Sequence, residues 1–160
     1  ANLDSLVEEL CLQLQENYMG PLRIAVLGML KDVDQLSPLA FRQQLQHCLE
    51  MIFSSAFQNI QLFQHVIEDQ PRFESDKPQG LGRLLVELQN EWTEVVKQGL
   101  ALSGRKVPLT HVHLYVDSAS AQIHELIMGC HEGRYSQDLA IKTLSNNLVS
   151  LFNQLLENNH

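Results

Sequence analysis

The chain has 160 residues, of which 44% are hydrophobic and 19% charged, with 8 Gly and 5 Pro. That composition suits a single folded domain over 1–160 and excludes a disordered or fibrous chain. A formal charge of −8 excludes general binding to nucleic acid or to an anionic membrane surface, because phosphates are repelled.

Counting residue types gives 28 Leu and 16 Gln against 6 Phe, 3 Tyr and 1 Trp. A leucine- and glutamine-rich chain poor in aromatic residues favours helix over sheet. No run of apolar residues is long enough to span a bilayer. Cys11, Cys48 and Cys130 leave an odd thiol and form no C-x-x-C pair, and no N-x-S/T acceptor occurs. These features, with no signal-peptide pattern at Ala1, predict a cytoplasmic setting.

The first predicted helix runs from Leu3 to Tyr18, because Leu3, Leu6, Val7, Leu10, Leu14 and Tyr18 recur at helical spacing. Gly20-Pro21 then interrupts it, with glycine suited to a C-terminal cap and proline to the first turn of the next helix. That helix, Pro21 to Val33, carries Leu22, Val26, Met29, Leu30 and Val33 on one side. Ile24 and Leu27 point elsewhere.

Ser37-Pro38 is a helix start, with serine as the N-cap and proline in the first turn. From there Phe41, Leu45, Cys48, Ile52, Ala56, Ile60, Phe63 and Ile67 keep a period near 3.6, for a helix of roughly 45 Å. Ser54-Ser55 is its expected bend. The stretch Gln70 to Gly80, with two prolines and four charges, reads as a loop or hairpin junction.

Beyond it, Leu81, Leu84, Leu85, Leu88, Trp92, Val95 and Leu102 form the next stripe, with Trp92 in the core. Leu109, Val112, Val116, Ala119, Ile123, Ile127 and Cys130 define a helix that ends at Gly133. His111 to Val116 also alternates like a strand, but the helical period continues past it. The last helix opens at Ser136 and carries Ile141, Leu144, Leu148, Leu151, Phe152 and Leu155. These segments predict an all-α fold, a single antiparallel bundle of about five to six helices.

Catalytic patterns are missing from the chain. His111 and His113 diverge by about 200° on a helix and cannot share a metal ion. His113, Asp117, His124 and His131 share one line, but that line is expected at the solvent boundary as a polar flank. Glu-x-x-His does not recur on two helices as a di-iron bundle requires, and a G-x-S-x-G elbow and a phosphate loop are absent. No catalytic, cofactor-binding or metal-ligating residue is assigned, and an enzyme is not expected.

Binding surfaces are the better prospect. Phe53 and Phe57 project about 75° and 115° from the main stripe of their helix, and Leu39 lies near them in azimuth. Either the helix is wedged between two layers or these side chains line a partner groove. Ile24 and Leu27 pose the same alternative. The expected function is therefore a non-enzymatic interaction module, an adaptor or scaffold domain of a larger protein. Its partner would be an amphipathic helix or peptide, received through Leu39, Phe53, Phe57, Ile24 or Leu27. A homo-oligomer fits the same surfaces. The alternatives are a carrier of an apolar ligand such as a lipid and, further off, a helical metal-dependent enzyme.

Overall fold

The computed structural model describes residues 3–14, 16, 19–68 and 81–157. Among them the chain forms seven helices and no strand: α1 (Leu3–Leu14), α2 (Gly20–Lys31), α3 (Pro38–Gln58), α4 (Ile60–Glu68), α5 (Leu81–Leu102), α6 (Leu109–His131) and α7 (Gln137–Glu157). The fold is an all-α bundle. The loop expected at Gln70 to Gly80 lies outside the described residues.

Local chemistry sets most boundaries. The Ser37 hydroxyl accepts a hydrogen bond from the Ala40 amide at 3.1 Å and caps α3, with Pro38 in the first turn. Gly104 and Gly133 adopt left-handed φ of 83° and 78°, and each closes a helix. Arg105 N–H reaches the Leu100 carbonyl and Gly104 N–H that of Ala101, while Arg134 and Gly133 repeat the pattern on Gly129 and Cys130. Both ends are Schellman motifs, which supply donors for the last helical carbonyls. Gly20, expected to cap the first helix, instead opens α2, with Pro21 in its first turn.

The long helix expected from Ser37 to Asp69 is divided. The break falls at Asn59, at φ −135° and ψ 42°, and not at Ser54-Ser55, which stay helical. Asparagine tolerates the non-helical backbone because its short polar side chain competes for local hydrogen bonds.

Five helices close a ring of neighbours: α2 lies beside α3 and α5, α6 beside α5 and α7, and α7 beside α3. Helices α3 and α7 are antiparallel, since Phe41 stacks on Phe152 while Phe53 meets Ile141 in one core cluster. The α2–α5 pair instead runs parallel, held by Arg23–Glu91 near one end and by Leu30 against Gly99 near the other. A Cβ at position 99 would come within 2.7 Å of Leu30 Cβ, so glycine lets these two helices approach closely.

Helix α7 contributes to all three core clusters. Ile141, Leu144 and Leu148 join Leu49, Phe53, Ala56 and Ile127 in the first. Leu155 joins Leu100, Val112 and Val116 in the second, where Trp92 packs half-buried at the edge. Val149 and Phe152 cover Met29, Leu30 and Phe41 in the third. Two positions on the expected stripes face water instead: Leu102 is 56% exposed and Leu109 43%, while Leu100 takes the buried place. Both sit where a helix ends or begins, so the stripe runs off the body it packs against. Helix α1 departs further, with Leu6 and Leu10 of its stripe exposed.

Candidate functional site

The N-terminal turns of α7 and the C-terminal half of α3 enclose an open groove of about 450 Å³. Its α3 wall is Glu50, Ser54 and Gln58, which share one line because they are four residues apart. Gln137 and Asp138 form the opposite wall, and Phe57 and Ile141 supply the apolar surface between them. Ser136 fixes the α7 wall: its hydroxyl accepts from the Leu139 amide at 3.2 Å, so the helix begins where Gln137 and Asp138 face the groove.

Charge in the groove has one sign. Gln46 Nε2 donates to Glu50 Oε1 at 3.3 Å, a neutral contact that leaves the carboxylate charge uncompensated. Asp138 lies in the first turn of α7, where the helix dipole favours an anion. The nearby cation Arg134 is engaged elsewhere, by Glu132 at 3.1 Å and Glu125 at 3.6 Å, with its guanidinium 5.9 Å from the Tyr135 ring centre.

The residues expected to bind a partner do not share one surface. Phe53 is only 1% exposed and packs in the first core cluster, so it offers nothing to a partner. Its azimuth misleads because α3 is covered by α7 on one side and α2 on another, which widens the buried arc. The wedged alternative holds for this residue. Phe57 is half-buried against the same cluster and lines the groove. Leu39 is 64% exposed at the start of α3, about 27 Å of helix away from Phe57. Ile24 is 74% exposed on α2, and Leu27 is half-buried there. Only Phe57 of the five contributes to the groove. The sequence reading missed Glu50, Ser54, Gln58, Gln137, Asp138 and Ile141, whose partnership depends on how α3 and α7 cross.

The histidine line splits between two neighbours. His113 Nδ1 lies 3.4 Å from the hydroxyl of Thr93, a buried residue of α5 that donates to the Gln89 carbonyl. His124 meets the edge of the Phe63 ring at 5.7 Å, and burial pushes its pKa below the ordinary imidazole value. His131 and Asp117 are exposed. The line is thus a polar flank at the solvent boundary, half-buried where α5 and α4 cover it. Among the described residues no group of three His, Cys, Asp or Glu side chains is placed to hold a metal ion. Burial raises the thiol pKa of both Cys48 and Cys130, which keeps them protonated and weakly nucleophilic.

No helix among the described residues is long and apolar enough to cross a membrane. Compared with protein families, curated proteins and solved structures, the chain matches none of them.

Proposed function

We propose that the chain is a non-enzymatic interaction module, which receives a short segment of a partner protein in the groove between α3 and α7. The observation that carries this reading is the groove itself. Phe57 and Ile141 present apolar surface at its base, and polar walls flank them on two helices. That pairing of an apolar base with a polar rim is how a helix or peptide is commonly received between helices. The raised thiol pKa values of Cys48 and Cys130 argue against nucleophilic catalysis by these two side chains.

The reading is tested by a photo-crosslinking residue introduced at Gln58 on the groove wall and, as a control, at Asp117 on α6. Both positions are exposed, so neither change should disturb packing. A discrete protein adduct from cells at position 58 and none at 117 is the expected result. Equal labelling at both sites, or none at position 58, would contradict it.

A further inference from the structure

We infer that the segment received in the α3–α7 groove is cationic, carrying a large apolar side chain flanked by lysine or arginine. This rests on the groove being a docking site. Of its seven lining residues two are carboxylates and none is a cation. The carboxylates sit on opposite walls, Glu50 on α3 and Asp138 on α7, so negative charge flanks the apolar base from both helices.

Internal charges do not cancel this field. Arg134 is engaged by Glu125 and Glu132. Lys142 lies one turn beyond Asp138 on α7, yet among the described residues no ion pair joins them. The first turn of α7 explains an acid at Asp138, where the helix dipole favours negative charge. Glu50 stands in the interior of α3, where no dipole asks for an acid. A basic segment therefore meets two opposite charges while its apolar side chain covers Phe57 and Ile141. An acidic peptide or an anionic lipid headgroup would bring like charges together. The chain's net charge of −8 adds long-range attraction for the same partner.

The test is a displayed library of random short peptides, selected on the whole chain. Each enriched peptide is then measured against two variants. Ser54→Trp fills the groove from an exposed wall position and removes no core contact. The double variant Glu50→Gln with Asp138→Asn removes the charge and keeps the shape. Enriched peptides should carry lysine or arginine beside a leucine or aromatic residue, and should lose binding on Ser54→Trp. They should weaken roughly fivefold or more on the double variant, and in high salt, as rim charges do. Peptides that need an open groove but carry neutral or acidic flanks, or ignore the double variant, would overturn the cationic assignment and leave the docking site standing. Peptides indifferent to Ser54→Trp, or no enrichment, would overturn both.

Discussion

Helices α3 and α1 both announce themselves as amphipathic, yet the bundle treats them differently. In α3, Leu49, Phe53 and Ala56 are buried among α6 and α7, and Phe53 reaches the core although its azimuth lies about 75° off the stripe. In α1, Leu6 and Leu10 lie on the stripe, and they remain 52% and 43% exposed. Periodicity states that a helix has an apolar face. It does not state how many neighbours cover it. A helix with neighbours on two flanks buries more than its stripe, and one at the margin buries less.

The largest expected effect tests the buried side of this contrast. Phe53→Ala should cost ~3–5 kcal/mol through lost burial and a residual cavity, read from urea or thermal unfolding. The matching change in α1, Leu6→Ala, should stay within about 0.5 kcal/mol. Equal losses at the two sites would erase the distinction between the regions.

A smaller effect separates two glycines of adjacent helices. Gly99→Ala places a methyl group against Leu30 and should destabilise by ~1–3 kcal/mol, because Leu30 Cβ cannot move without its helix. Gly28→Ala meets nothing within 4 Å and should instead stabilise by roughly 0.5–1 kcal/mol, from restricted unfolded-chain freedom and better helix propensity. If both variants behaved alike, the close α2–α5 approach would be wrong.

The smallest effect concerns pH. Burial against Phe63 lowers the pKa of His124, so the unfolded chain takes up this proton at a higher pH than the folded one does. The associated stability is complete above the unfolded value of about 6.5 and is lost as pH falls through and below it. Between about pH 7 and pH 5.5, wild type should lose more stability than His124→Leu. Parallel losses in the two proteins would place His124 in water.

How much of this was legible in the sequence differs by level. Helix boundaries at Ser37 and Gly133 follow from local chemistry, because a serine cap and a left-handed glycine act within a few residues. The break at Asn59 was harder, since Ser54-Ser55 carries the stronger bending pattern and yet stays helical. Leu100 and Leu102 exchanged roles because an apolar stripe cannot show where its neighbour ends. The groove was least legible. Phe57 was singled out by azimuth and Glu50 shares its helix, but Asp138 and Ile141 became their neighbours only through the antiparallel crossing of α3 and α7, more than 80 residues away in the chain.

Hydrogen exchange of the chain with and without its highest-affinity selected peptide tests the central claim most directly. Added protection should concentrate in residues 50–58 of α3 and 137–141 of α7, leaving α1 and the exposed face of α2 around Ile24 unchanged. Protection centred on α1 or α2, with residues 50–58 and 137–141 unaffected, would contradict the α3–α7 groove as the docking site.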